Sequence, residues 1–214
     1  MIYPQPRGTL AFMNAPTASR PRERLLAAAR ELTYSQGVGV GVDAILKEAK
    51  VARRSLYAHF GGKDGLIAEM LRVTTAEDEA LYRRTMQAAG DDPRARLLAI
   101  FDMLADVIED PSFRGCRYLS ADLAFTDPNH PAHRITRQYR EHLHELFEAE
   151  LIRLGHQQPA SAADQLLLLN DGTLAAGATR PNSDPARLAR QLAEQLIGAH
   201  HEGHARSPVA GTAR

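Results

Sequence analysis

Three observations predict an all-α chain of about nine helices. Strand-like alternation of β-branched residues is missing, Leu, Ala, Glu, Arg and Gln fill long stretches with apolar residues at helical spacing, and short runs rich in Pro, Gly and Asp punctuate those stretches. The first helix is expected after Ser19 and Pro21, with Leu25, Leu26, Ala29 and Leu32 on one face and a stop at Gly37. A short second helix covers about 42–49 and a third about 53–60. "GGKDG" then opens a longer fourth helix that reaches about Ala89, before "GDDP". The "DDP" at 91–93 starts a fifth helix to about Ile108, "EDPSFRG" breaks it, and 116–125 makes a short sixth. After "TDPNHP" a long amphipathic seventh helix covers about 132–154. "GHQQPAS" leads into an eighth at 162–178 and "RPNSDP" into a ninth at 186–200. The last stretch, "EGHARSPVAGTAR", has no apolar period and is expected to be disordered.

Composition narrows the class. With 214 residues, 44% of them hydrophobic, the chain has enough apolar material for a real core in one or two domains. Its longest aliphatic run, "LLLLN", is broken at once by Asn170 and Asp171, far short of the roughly 18 apolar residues a membrane helix needs. The first nineteen residues hold three prolines and no sustained apolar region, so they do not read as a secretory signal. A cytoplasmic protein with a loose N-terminal arm is expected. The single cysteine, Cys116, rules out an intramolecular disulfide framework and a Cys-based zinc site. Charge is balanced overall but unevenly placed. Residues 1–63 carry ten Lys and Arg against four Asp and Glu, and residues 64–214 carry sixteen against twenty-two. A basic head on an acidic body suggests that only the head meets a polyanion.

The head shows why. In "VDAILKEAKVARRSLYAHF", Val42, Ile45, Leu46, Ala49, Val51, Leu56 and Phe60 are the residues two short helices would turn inward on a shared core, leaving Arg53, Arg54, Ser55, Tyr57 and His59 to project. Such a helix-turn-helix unit sets its second helix in a DNA major groove, where Arg forks read guanine and polar side chains hold phosphates. The alternative reading of the same pattern is a solvated basic helix beside an ordinary helical hairpin. The run "GVGVGV" at 37–42 lacks a preceding strand and the full spacing of a dinucleotide fingerprint, so it reads as an interhelical loop.

The stretches "RERLLAAARELTYSQG" and "ILKEAKVARRSLYAHFGGKDGLI" resemble the N-terminal domain of the TetR family of bacterial transcriptional regulators over residues 22–70. That resemblance implies that Arg53, Arg54 and Ser55 begin the recognition helix and face base edges, and that Tyr57, His59 and Lys63 position the duplex through phosphates. Lys50 adds a charge near the DNA where the family's turn Gly usually stands, and a positive φ is expected there. Gly41 and Ala52 stand where the family commonly has a hydroxyl, so one helix cap and one side-chain phosphate contact are expected to be missing, while Gly41 stays with Lys50 among the candidate DNA-binding positions. Thr33 replaces a common core Phe, so the head is expected either to pack through Tyr34 or to be less stable. Arg7 and Arg20 in and beside the arm are of the kind that can enter a minor groove, though an arm with no such role is the simpler reading.

The resemblance further implies four parts: an arm at 1–19, a helix-turn-helix domain at 20–65, a helical ligand-binding and dimerisation domain at 66–200, and a tail at 201–214. No linker separates head from body, so the fourth helix should join them rigidly. From residue 91 the likeness is weaker, although "FRGCRYLSADLAF" is similar to a stretch that follows the fifth helix in many members. Candidate pocket residues are Phe101, Leu104, Phe113, Cys116, Tyr118, Leu123, Tyr139, His142 and Asn170, a mainly apolar set with a few polar handles. For a homodimer interface the candidates are Leu166, Leu169, Leu174 and Ala178 on the eighth helix and Leu188, Leu192, Leu196 and Ile197 on the ninth, with small residues in "GTLAAGA" allowing close approach. Burial within one chain is the alternative for each.

The function so implied is a ligand-responsive dimeric repressor on a palindromic duplex operator, with an unidentified small-molecule effector, no cofactor and no metal. His200, His201 and His204 lack the carboxylate or Cys companions of a metal site. Two other classes remain. One is an architectural protein whose body binds a protein partner; the other is an enzyme with a DNA-binding head. The enzyme would have to draw on His130, His133, His142 and His144 near Glu141 and Glu145, which lack a nucleophile motif or recognised metal spacing.

Overall fold

A computed structural model of the chain describes residues 20–198. The expected arm, the tail and His200, His201 and His204 lie outside the described residues. Among those described, the elements in order are α1 (Pro21–Gln36), α2 (Val42–Ala49), α3 (Arg53–Phe60), α4 (Lys63–Ala88), α5 (Pro93–Glu109), α6 (Arg117–Ala124), α7 (Pro131–Arg153), α8 (Pro159–Thr179) and α9 (Pro185–Gly198), with a single 3-10 turn at Pro181–Ser183 before α9. The fold is all-α, as the residue pattern predicts, and the expected helices meet the observed ones within a few residues at each end. The 3-10 turn was not expected; it occupies the "RPNSDP" break.

Proline sets many of the starts. Helices α1, α5, α7, α8 and α9 all begin on Pro, whose fixed φ suits the first turn and whose missing N–H is not needed there. Asp92 caps α5 by accepting from the backbone N–H groups of Arg94 (3.1 Å) and Ala95 (3.3 Å). His130 does the same for α7 through Nδ1, which accepts from the N–H of Ala132 at 3.2 Å. At the start of α1 the backbone N–H of Arg20 donates to Glu23 at 3.0 Å.

Helices α1, α2 and α3 pack with the start of α4 as the head, while α4, α5, α7, α8 and α9 pack on one another as the body, with α6 laid against α7. The head core holds Leu25, Ala29, Ile45, Ala49, Leu56, Leu66 and Ile67, and the body core is filled by Tyr82, Phe101, Tyr118 and Phe147. These buried side chains form one continuous apolar cluster. Helix α4 crosses the expected 65/66 boundary within its first turn and carries buried residues on both sides of it, from Leu66 to Met86.

Tyr34 corrects the expectation for the head core. Thr33 itself is buried, and the Tyr34 ring turns outward toward the segment between α5 and α6. Its hydroxyl accepts the backbone N–H of Arg114 at 2.8 Å, and the Arg117 guanidinium lies 4.9 Å from its ring centroid. Burial pushes the phenol's pKa up, opposed by that backbone bond. Tyr34 therefore ties head to body.

Candidate nucleic-acid interface and the core behind it

The interface is built on the turn between α2 and α3. Lys50 closes α2 with φ 53° and ψ 48°, the left-handed conformation that only Gly adopts without cost, and its N–H returns to the carbonyl of Lys47 at 3.2 Å. Gly41 and Ala52 precede α2 and α3 with extended backbones and no side-chain cap. Ile45, Leu46, Ala49 and Leu56 are buried, whereas Val42, Val51 and Phe60 are only partly covered.

On the outer face of α3, Arg53, Arg54, Tyr57 and His59 are exposed and Ser55 is half-buried. Tyr57 stands out with 56% of its surface open, a large apolar ring with no place in the core. Lys63 is the first residue of α4, directly after the Gly61–Gly62 turn, so it flanks the end of α3. Lys50 flanks the other end. Arg53 is ion-paired with Asp43 on α2, a partner that the sequence pattern did not single out because it lies ten residues away across a turn. Arg54, Tyr57 and His59 form no ion pair with another described residue.

Gly65 fixes how α3 meets α4. A Cβ at this position would sit 1.9 Å from the carbonyl oxygen of Phe60, so only glycine lets the two backbones approach as they do. Arg22 reinforces the corner from α1: it pairs with Glu69 and lies 5.6 Å from the Phe60 ring centroid.

Behind the head, the candidate pocket residues divide. Phe101, Leu104, Phe113, Tyr118, Tyr139 and Asn170 are buried in the body, and Cys116 is partly buried beside them. Leu123 and His142 are not in this set. Leu123 is 75% exposed on the outer side of α6, and His142 lies on the surface of α7, where Nδ1 meets Glu79 at 2.9 Å. Helix phase, which residue type alone does not reveal, turns both side chains outward.

The buried set carries a polar network. The Tyr118 hydroxyl donates to Asp78 at 2.6 Å, the Tyr82 hydroxyl donates to Asn170 at 2.7 Å, and the Tyr118 and Tyr139 ring centroids are 4.1 Å apart. Asp78, only 3% exposed, has its carboxyl pKa pushed up by burial, with Arg117 pulling it back down. Burial likewise raises the Cys116 thiol and the Tyr82 phenol. Asp78 and Tyr82 are absent from the sequence-derived candidates; both sit on the α4 face at four-residue spacing, and that spacing was the available signal.

The dimer candidates divide in the same way. Leu166 and Leu174 are buried within the chain, so for them the intrachain alternative holds, and the close approach in "GTLAAGA" is also internal: Gly177 faces Ile108 of α5, whose side chain a Cβ would meet at 2.7 Å. Leu169 and Leu196 are partly covered and Ile197 is buried. Leu188, Leu192 and Ala178 are exposed, as is Leu168, which is 71% open.

The histidines that an enzyme would need are dispersed: His130 caps α7, His133 meets Asp122 at 2.7 Å, and the Nε2 of His144 lies 3.2 Å from the carbonyl of Ala160. Among the described residues, no group of three or more His, Cys, Asp or Glu side chains could hold a metal ion, and no helix is long and apolar enough to cross a membrane.

Residues 25–70 match the family model for bacterial regulatory proteins of the tetR family. A solved TetR-type transcriptional regulator from Streptomyces avermitilis superposes with a TM-score of 0.76 at 36% identity, covering 85% of this chain and 98% of that one. The chain belongs to the TetR family. SCO4454, a TetR-family transcriptional regulator of Streptomyces coelicolor, superposes with a TM-score of 0.74 at 31% identity over 84% of this chain and 95% of its own. The HTH-type transcriptional regulator YjdC of Escherichia coli is 22% identical over 177 residues, 82% of this chain and 93% of YjdC. This TetR-family chain is thus a transcriptional regulator with a helix-turn-helix head, and its relatives are regulators, not enzymes.

Proposed function

We propose that the chain is a ligand-responsive repressor that binds a palindromic operator as a two-fold dimer. The observation that carries this reading is the outer face of α3, where Arg53, Arg54, Tyr57 and His59 stand exposed between Lys50 and Lys63. In this reading Arg53, Arg54 and Ser55 meet base edges, while Tyr57, His59, Lys50, Lys63 and the backbone at Gly41 hold phosphates. One helix of eight residues reads only a few base pairs, so a second copy is needed to reach useful specificity. Leu168 of α8 with Leu188 and Leu192 of α9 supply the exposed apolar surface for that second copy. The buried group of Phe101, Leu104, Phe113, Cys116, Tyr118, Tyr139 and Asn170 is the effector region, the domain boundary falls near residue 65, and the protein acts in the cytoplasm.

The test is selection of bound fragments from a random duplex pool by the purified protein at physiological salt. Enrichment of a palindrome with half-sites about one helical turn apart, roughly 34 Å, is the expected result. Enrichment of a lone half-site would remove the dimer, and no enrichment at any salt would remove specific reading by this head.

A further inference from the structure

A helical threonine commonly returns its hydroxyl hydrogen to a carbonyl one turn back. Thr74 donates to Met70 at 2.8 Å, Thr173 to Leu169 at 2.7 Å and Thr179 to Ala175 at 2.9 Å. Thr136 on α7 does not: it is 4% exposed, and its Oγ1 has no hydrogen-bond partner. A buried hydroxyl left in this state is unfavourable unless water or a ligand meets it.

That residue lines a cleft of about 460 Å³ with Asp122, Pro128, His133, Arg137 and Arg140. The volume lies within the range of roughly 300–1,000 Å³ usual for small-molecule sites. His133, Thr136, Arg137 and Arg140 follow i, i+3, i+4 and i+7 spacing, so one stripe of α7 builds most of the wall. None of these residues belongs to the buried aromatic set.

The charges in the cleft select the ligand. His133 meets two acceptors, Asp122 through Nδ1 at 2.7 Å and the carbonyl of Asp127 through Nε2 at 3.0 Å, and only the imidazolium can donate to both. The Asp122 hydrogen bond is the main cause that raises the pKa of His133. Arg140 is held by Asp171 of α8. Arg137 is exposed and pairs with no carboxylate among the described residues. Two of the three cations are therefore compensated and one is not. A dianion would bring its second charge up against Asp122 and Asp171.

We propose that this cleft binds a small monoanionic carboxylate, held by the Arg137 fork and the Thr136 hydroxyl. Guanidinium geometry matches a carboxylate through two parallel N–H donors, and the hydroxyl supplies a third donor from inside the wall. That the carboxylate acts as a second effector, apart from any ligand of the buried aromatic group, rests on the reading of the chain as a ligand-responsive regulator; that it binds does not.

Binding is therefore measured first without DNA, by calorimetry of the full chain at pH 7 with acetate, benzoate and octanoate, and with neutral benzamide and dianionic sulfate as comparators. At least one carboxylate is expected to bind one per chain, with benzamide about tenfold weaker or worse because it lacks the charge of a charge-assisted fork, and sulfate weaker because its second charge meets Asp122 and Asp171. Arg137→Ala, at an exposed position the fold does not depend on, should lose about tenfold or more, and the isosteric Thr136→Val should weaken binding severalfold while melting no lower than the parent chain, since it removes an unpartnered buried hydroxyl. No binding by any of the three carboxylates, equal binding of benzamide or sulfate, or an unaffected Arg137→Ala variant would overturn the site. If the carboxylate binds but leaves operator affinity unchanged, the site stands and its effector role is overturned.

Discussion

Arg53, the first residue of α3, is ion-paired with Asp43 of α2 across the helix-turn-helix. Both side chains are well exposed, so the pair contributes little to stability, about 0–1 kcal/mol. Its effect falls instead on recognition, because the carboxylate competes with DNA for the guanidinium. Asp43→Asn should melt within a degree or two of the parent chain and bind the selected operator severalfold more tightly in fluorescence anisotropy titrations. Unchanged affinity would place Arg53 away from the duplex.

Arg53 and Lys63 are expected to fail differently. Arg53→Ala should cost about 1–3 kcal/mol and relax preference at one operator position, whereas Lys63→Ala should weaken all sequences alike and lower the salt slope by about 1. Affinity measured across single-base operator variants at several salt concentrations separates the two. The reverse pattern would exchange their roles.

Two substitutions in the head should move stability in opposite directions. Gly65→Ala forces a Cβ onto the Phe60 carbonyl, a backbone atom that cannot swing away, so its cost should exceed the roughly 1–3 kcal/mol of ordinary overpacking. Ala52→Ser supplies the absent cap of α3 and should add about 0.5–2 kcal/mol. Urea melts of both variants give the sign directly.

In the body, Tyr82→Phe removes the buried hydroxyl that donates to the Asn170 oxygen at 2.7 Å. A loss of about 1–3 kcal/mol is expected. A loss below half of that would mean that Asn170 finds another donor.

Asp78 gives the body a pH dependence of definite sign. Its folded pKa is raised, chiefly by burial, so between the ordinary carboxylate range and that higher value the folded chain holds more protons than the unfolded one. Stability from this group is therefore full in acid and falls as pH climbs through the folded pKa. Asp78→Asn should melt higher than the parent chain near neutral pH and flatten the curve of Tm against pH above about 4, the unfolded carboxylate value. A parent chain whose melting does not respond to Asp78→Asn near neutral pH contradicts this sign.

Helix boundaries were legible because Pro, Gly and Asp mark them locally, as at Pro93 and Gly37, and the basic face of α3 was legible because Arg53 to His59 lie within two turns. What the sequence hid are pairings between distant elements. Tyr34 with Arg114, Tyr118 with Asp78 and Tyr82 with Asn170 are separated by 80, 40 and 88 residues, and nothing in a residue's own neighbourhood names such a partner. Helix phase was the other gap: Leu166 and Leu168 look alike in the sequence, yet one is core and the other is among the most open aliphatics of the body. Residues two positions apart on a helix are separated by about 200°, so a leucine run always points both ways.

The partly covered thiol of Cys116 lines a cavity of about 30 Å³ together with Tyr34, Arg114 and Arg117, at the place where head meets body. Because the chain has a single cysteine, a thiol-reactive dye can report on this junction with no competing signal. The alkylation rate under native conditions then becomes a clock for local opening: seconds would mean a seam that parts freely, hours a seam that parts only when the molecule unfolds. A compound that clamps or loosens the junction would change that clock even where it leaves every spectrum unaltered.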